Sequence, residues 1–238
     1  MSLAASGATH QGGRSTNEDS WLVDLPLGLL LVADGMGGHN AGEVASALAV
    51  SVVRQSLQEL QAGPRQTTLV EALQRANDQI LSAAAADPDR AGMGTTVVAV
   101  LVSGTQAIYA SVGDSRIYLW QGGRLTQLTR DDSWLFSTLG EAAANEAHAL
   151  GTHPMRHVLT KVVGLRAELE PAVSECVLGE GDCLLLCSDG VHGSLPQEAL
   201  AEVLAAGGSV AALARDIVDL AIARGASDNA TAIVARVE

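Results

Sequence analysis

Aromatic side chains are almost missing from this chain: one Phe, two Tyr and three Trp among 238 residues. A core must therefore be built from Leu, Val, Ala and Ile, and a hydrophobic content of 47% is enough to build one. Positive charge is also scarce, with 14 Lys and Arg against 27 Asp and Glu and a net charge of −13. That balance excludes nucleic acid as the main partner, because a phosphate backbone needs a basic footprint. A phosphorylated substrate remains open, since it needs only a local positive site. Cysteine is limited to Cys176, Cys183 and Cys187, an odd number that gives no disulfide framework. Cys183 and Cys187 fall on one face of a strand-like run and read as small buried hydrophobes in a reducing compartment. No apolar stretch reaches membrane-spanning length, and Met1-Ser2-Leu3-Ala4-Ala5 has no basic leader, so no membrane association and a cytoplasmic location are expected.

What is present reads as one domain over 1–238, with no internal repeat and no low-complexity linker. Gly7 to Val23 predicts a strand, a polar turn and a second strand, and Leu27 to Ala33 a short buried strand. Ala41 to Leu60 has helical spacing, with Ala45, Leu48, Ala49, Val52 and Val53 on one face. A second helix carries Leu69, Leu73, Ala76 and Ile80 on one stripe and stops at Asp87-Pro88-Asp89. The period then changes. Thr95 to Val102, Gln106 to Val112 and Arg116 to Trp120 read as strands of an antiparallel meander, with a further hairpin turn at Gln121-Gly122-Gly123-Arg124. Strand character is lost from about 131 to 159 and returns at Val173 to Val177 and Cys183 to Cys187. Helices over Gln197 to Ala205 and Ser209 to Ala223 and a last strand from Ala230 to Val237 complete an α+β layered pattern.

Four aspartates sit at the ends of these strand-like runs, each beside Gly, Ser or Asn. Asp34 follows Leu29-Leu30-Leu31-Val32-Ala33, Asp114 follows Gly113, Asp189 follows Ser188, and Asp228 stands between Ser227 and Asn229. Any one of them alone reads equally as a turn residue or an Asx cap. Carboxylates converging from several strand ends would repel one another unless a cation lay between them. An all-oxygen set suits a hard ion, Mg²⁺ or Mn²⁺. The glycines after Asp34 also suggest a phosphate loop. However, Gly35-Met36-Gly37-Gly38-His39-Asn40 lacks the third glycine of a dinucleotide fingerprint and the Gly-Lys-Ser/Thr ending of a Walker loop. Arg14, four residues before Glu18, offers a planar guanidinium suited to phosphate oxygens.

Taken in order, Arg14…Asn17-Glu18-Asp19, Val32-Ala33-Asp34-Gly35-Met36-Gly37-Gly38-His39, Met93-Gly94-Thr95-Thr96, Val112-Gly113-Asp114-Ser115-Arg116, Leu125-Thr126…Asp132-Ser133, Leu186-Cys187-Ser188-Asp189-Gly190 and Asp228-Asn229 resemble the metal-dependent serine/threonine protein phosphatases, the PPM or type-2C family, in its bacterial form. The resemblance runs from about Ser6 to Val237. It implies a four-layer α-β-β-α sandwich of two antiparallel sheets flanked by helix pairs. It also implies two Mn²⁺ or Mg²⁺ ions bridged by Asp34, with the Gly35 carbonyl on one, Asp189 and Asp228 on the other, and Glu18 and Asp19 acting through waters. Asp114, with Asp189, matches the position of a third, weaker ion. The reaction implied is direct hydrolysis of phosphoserine and phosphothreonine in proteins by a hydroxide between the ions, with Arg14 holding the phosphate and no phosphoenzyme. His39 or a water would protonate the leaving oxygen, because Met36 stands where relatives often carry His. Asp131-Asp132-Ser133 departs in the same way from a frequent Asp-His-Ser. The segment from about 131 to 159 matches a mobile flap. The implied partners are phosphoproteins made by a Ser/Thr kinase, and a monomer is expected. Two other readings stay open from sequence: a phosphoprotein-binding module without turnover, and a hydrolase of small phosphate esters or nucleotides.

Overall fold

The structure is a computed structural model that describes residues 2–37, 41–60, 66–139, 155 and 158–238. Its strands are β1 (Leu3–His10), β2 (Asp19–Asp24), β3 (Leu29–Met36), β4 (Gly94–Thr95), β5 (Val97–Ser103), β6 (Gln106–Val112), β7 (Arg116–Gln121), β8 (Arg124–Gln127), β9 (Ala172–Val177), β10 (Cys183–Cys187) and β11 (Ala230–Val237). Its helices are α1 (Ala41–Leu60), α2 (Gln66–Ala86), α3 (Trp134–Leu139), α4 (Asp189–His192), α5 (Gln197–Ala206) and α6 (Val210–Ala223). One sheet has the order β1-β11-β10-β7-β8, and the other β2-β3-β5-β6-β9, with β4 attached to β3. All pairings within them are antiparallel.

Strand alternation sorts the apolar residues into three cores, and so produces four layers. In β3, Leu29, Leu31 and Ala33 face α1 and α2, while Leu30 and Val32 face the other sheet. In β10, Leu184 and Leu186 point between the sheets, and Leu185 and Cys187 point toward α5 and α6. Cys183 and Cys187 are both buried, as their shared parity predicts. The α-β-β-α sandwich of two antiparallel sheets is therefore present. Helix α1 meets β2 and β3 through small residues, Ala41, Gly42, Ala45, Ser46 and Ala49, which bring its backbone close to the sheet. Ser46 Oγ donates to the Glu18 carbonyl at 2.6 Å and lies 2.9 Å from Ser20 Oγ. Helix α6 starts at Ser209, whose hydroxyl accepts from Ala212 N at 3.2 Å, a standard N-cap.

The expected meander requires correction. β5 and β6 form a hairpin in one sheet, but β7 pairs with β10 in the other. The chain changes sheets at Gly113-Asp114-Ser115, where Gly113 adopts φ +98°, in the left-handed region that favours glycine. Period-two patterning is the same in both sheets, so it could not reveal the crossover. β9 and β10 likewise lie in different sheets. β1 begins at Leu3, ahead of the expected Gly7, because it pairs along its whole length with β11. Asp189 opens a short helix that periodicity did not predict. Within the expected flap, α3 is described; residues 140–154 and 156–157 lie outside the described residues.

The stretch after the flap is tied to α2 by Gln74, which bonds Ala167 and Leu169, and by the buried amide of Asn77. Asn77 accepts from Gly164 N at 2.8 Å and donates to the Arg166 carbonyl at 2.8 Å. Replacing it with alanine leaves the buried Gly164 N–H without this partner. Asn77→Ala is expected to lower unfolding stability by about 2–3 kcal/mol, read as a lower urea midpoint at unchanged slope. An unchanged midpoint would show that this group finds another partner.

Candidate active site

The site forms where strands from both sheets end together at one rim of the sandwich. Asp19 and Asp34 are direct cross-strand partners in β2 and β3. Asp34 is fixed by its backbone: its N–H donates to Thr96 Oγ1 at 3.1 Å, and its carbonyl accepts from Thr96 N at 2.8 Å and Thr95 Oγ1 at 2.9 Å. Gly35 lies against α1, where a Cβ would collide with the Gly42 carbonyl, and a Cβ on Gly42 would fall 2.5 Å from Glu18 Oε2. Glu18 thus packs against the first turn of α1. Asp189 and Asp228 arrive from the other sheet, at the end of β10 and the start of β11. Asp114 comes from the crossover between the sheets.

Three hydrogen bonds bridge the layers beneath these residues. Ser188 Oγ donates to Asp19 Oδ2 at 2.8 Å, Glu18 N donates to Asn229 Oδ1 at 2.8 Å, and Thr96 Oγ1 lies 2.8 Å from Ser115 Oγ. The amide of Asn229 also donates to the Gln11 and Thr16 carbonyls at 2.9 and 2.8 Å, closing the turn that carries Arg14. A cleft of about 440 Å³ opens above them. Arg14, Glu18, Asp34, Gly35, Asp114, Asp189 and Asp228 line it, together with Met36, Thr96 and Leu159. Every candidate from sequence is in this set except two: Asp19 lies below it, and His39 is outside the described residues.

Electrostatics here are dominated by burial of like charges. Burial raises the Asp34 carboxyl well above its ordinary range, and the charges of Asp19, Asp189, Asp114 and Asp228 raise it further. Burial raises Asp114 in the same way, reinforced by Asp189 and Asp131. Asp19 is pushed to about 6 and Asp189 to about 7, in each case chiefly by burial. Glu18 is raised by burial, against the lowering effect of Arg14. Arg14 pairs with Asp228 at 2.6 Å across half-exposed ground.

Two observations fit this set to cations. Asp19 Oδ1 and Asp189 Oδ1 are buried and accept no hydrogen bond among the described residues. The donors are all oxygen, as a hard divalent ion requires. The side chains surround the cleft without closing on one point: among the described residues, no three His, Cys, Asp or Glu side chains form a ready cage. Ligands to spare for water are typical of Mg²⁺-like sites, so an open arrangement is compatible with that chemistry.

The protein phosphatase 2C family model matches residues 6–221. The chain belongs to that family. It is 37% identical over 226 residues to the serine/threonine protein phosphatase PstP of Mycobacterium tuberculosis, covering 94% of this chain and 43% of that protein. It is 35% identical over 227 residues to the serine/threonine phosphatase stp of Listeria welshimeri, covering 94% of this chain and 87% of that one. The chain thus spans less than half the length of its mycobacterial relative. Among solved structures, mycobacterial PstP superposes with a TM-score of 0.91 at 35% identity, covering 100% of both chains. The PstP catalytic domain in complex with two manganese ions gives 0.88 at 34% identity, covering 99% of each.

The acidic residues singled out from sequence, Asp19 apart, line one cleft, and the groups that hold them in place were not singled out. Ser188, Asn229 and Thr96 were visible only as neighbours within motifs. His192 bonds the Asp114 carbonyl at 3.0 Å. His10 Nδ1 accepts from Gly12 N at 2.9 Å, a local turn contact.

The raised carboxyls fix a pH dependence. Asp19 and Asp189 bind protons more tightly folded than at their ordinary 3.8. Between that value and about 6 to 7 the folded chain holds more protons than the unfolded chain. Their contribution to stability is full below the ordinary value and is lost as pH rises through the folded ones. Without divalent cations, thermal unfolding is expected at a higher temperature at pH 5.5 than at pH 8, reflecting a stability loss of about 2–3 kcal/mol between the two. Mn²⁺ at pH 8 should restore the loss, and Asp189→Asn should flatten the slope in EDTA. A flat profile for the wild type in EDTA would mean that water already screens these charges.

Proposed function

We propose that this chain hydrolyses phosphoserine and phosphothreonine esters in proteins with the help of two divalent cations, Mn²⁺ or Mg²⁺, and a third, weaker one. The observation that carries this reading is the convergence of Asp34, Asp189 and Asp228 with Arg14 on one cleft in a member of the protein phosphatase 2C family. The two manganese ions bound by the PstP catalytic domain support the choice of cofactor.

In this reading Asp34, the Gly35 carbonyl, Asp189 and Asp228 would hold the two ions, Glu18 and Asp19 would act through waters, and Asp114 with Asp189 would hold the third. The cations supply an acidified water as nucleophile and neutralise the phosphate dianion. The protein's own part is positioning. Strand ends hold the carboxylates rigidly, and the bonds from Ser188 and Asn229 keep the two sheets in register beneath them. Asp228 would serve a bound cation, which would free the guanidinium of Arg14, already 59% exposed. Arg14 then offers its fork to two phosphate oxygens as charge develops in the transition state. Attack is in line, and the seryl or threonyl oxygen departs with a proton from His39 or from water. No phosphoenzyme forms on this route. Among the described residues no helix is long and apolar enough to cross a membrane. Phosphoproteins generated by a Ser/Thr kinase in the same cell are the natural substrates, and the working unit is a monomer in the cytoplasm.

The test is phosphate release from a phosphothreonine peptide with Mn²⁺, with Mg²⁺ and with EDTA. Wild-type turnover should require a divalent cation, and Asp189→Ala should lower kcat by roughly 10²- to 10³-fold while remaining folded. Release without any metal, or an active Asp189→Ala, would sink the reading. Binding of the peptide without turnover would point to a phosphoprotein-binding module. In a separate comparison, Arg14→Ala should raise KM by roughly 10-fold; an unchanged KM would remove Arg14 from phosphate binding.

A further inference from the structure

We propose that His192 is a positioning residue that sets the spacing between Asp114 and Asp189 and so tunes cation affinity on that side of the cleft. The inference rests on the metal-centre reading above. It starts from the ladder between β10 and β7, whose last register pair is Cys187 with Arg116. Two residues further along each strand, in the same register, stand Asp189 and Asp114. No strand pairing reaches them. Ser188 N turns to the Thr231 carbonyl, and the Ser115 hydroxyl pairs with Thr96. The charge of Asp189 raises the Asp114 carboxyl, yet the two residues share no strand pairing.

His192 supplies that tie. It is the last residue of α4, the single turn that Asp189 opens, so the two residues lie one turn apart. The ring is buried, and its Nε2 lies 3.0 Å from the Asp114 carbonyl oxygen. A carbonyl only accepts, so Nε2 carries the proton and donates. The turn itself is closed by Gly193 N donating to the Asp189 carbonyl at 2.7 Å. One side chain thus links the helix that carries Asp189 to the crossover that carries Asp114, just past the point where the sheet stops doing so. Removing such outer support of a ligand commonly costs about 10- to 100-fold in metal affinity.

The experiment compares His192→Gln with His192→Asn. A glutamine amide nitrogen reaches the place of Nε2; an asparagine amide reaches only the place of Nδ1. Mn²⁺ binding would be measured by calorimetry on protein stripped with EDTA, alongside thermal unfolding in EDTA. The expected result is Mn²⁺ affinity at the weakest site roughly 10-fold or more lower in His192→Asn, and within a few-fold of wild type in His192→Gln. Both variants should unfold near the wild-type temperature in EDTA. Equal affinities in wild type and both variants, or equal losses in the two variants, would overturn the proposal. Failure of either variant to fold in EDTA would assign the ring to the scaffold and overturn it too. Absence of any Mn²⁺ binding by the wild type is a different outcome: it would sink the metal-centre reading itself, and this inference with it.

Discussion

Carboxylates held together in a low-dielectric rim repel one another, and most of what surrounds the cleft can be understood as managing that repulsion. Asp19, Asp34, Asp114 and Asp189 are buried deeply enough that each keeps its proton more tightly than a free aspartate does. A solvated loop would let them separate. Here they cannot, because each is fixed to a strand end, to a one-turn helix or to a crossover. The backbone bonds around Asp34 and the side-chain bridges from Ser188, Asn229 and Thr96 hold the unfavourable arrangement in place. Protons or cations must offset the charge, and the choice between them depends on pH and on metal supply.

The same constraint bears on any anion entering the cleft. Among the described residues Arg14 is the cationic side chain on its lining, and Asp228 already holds it. Arg116, close behind, is engaged by both oxygens of Asp131 at 2.9 and 2.7 Å, a buried bidentate pair that exports little positive field. Lys161 donates to the Glu170 carbonyl at 3.0 Å and lies 3.9 Å from Asp132. Where neither protons nor cations offset the carboxylates, the rim is therefore a negative surface, and a phosphate dianion meets repulsion there. Attraction begins only once divalent charge has been taken up. The global charge of −13 is thus no obstacle to a phosphorylated substrate, because the local balance is set by what the rim binds.

Asp34, Asp114, Asp189 and Asp228 were legible in the sequence because each sits where a strand-like run ends or begins beside Gly, Ser or Asn. Helices α1 and α2 were legible from their stripes, and Leu69, Leu73, Ala76 and Ile80 are all fully buried. Sheet membership was not legible. The alternation of β6 looks the same whichever sheet the next strand joins, and the decision rests on the backbone angle of Gly113. The supports were hidden for another reason. Asn229 reaches residues more than two hundred positions away in the chain, and Ser188 reaches Asp19 across nearly as many. A hydroxyl or amide carries no periodic signature, so its partner emerges only when the chain is folded. Arg14 was legible as a cation near Glu18, but its engagement with Asp228 was not.

The middle core, between the two sheets, is built from Leu30, Val32, Val98, Val100, Ile117, Leu184, Leu186 and Ile233, with no aromatic among its buried members. Branched aliphatic side chains interlock at short range and have no large flat faces along which one sheet could slide over the other. Half of the rim belongs to each sheet, so this layer works as a fixed bearing plate between two halves of an instrument. A loss of volume there, far from any carboxylate, would let the halves shear and change every distance across the rim at once. The alignment of the cleft is thus stored in the least polar part of the molecule.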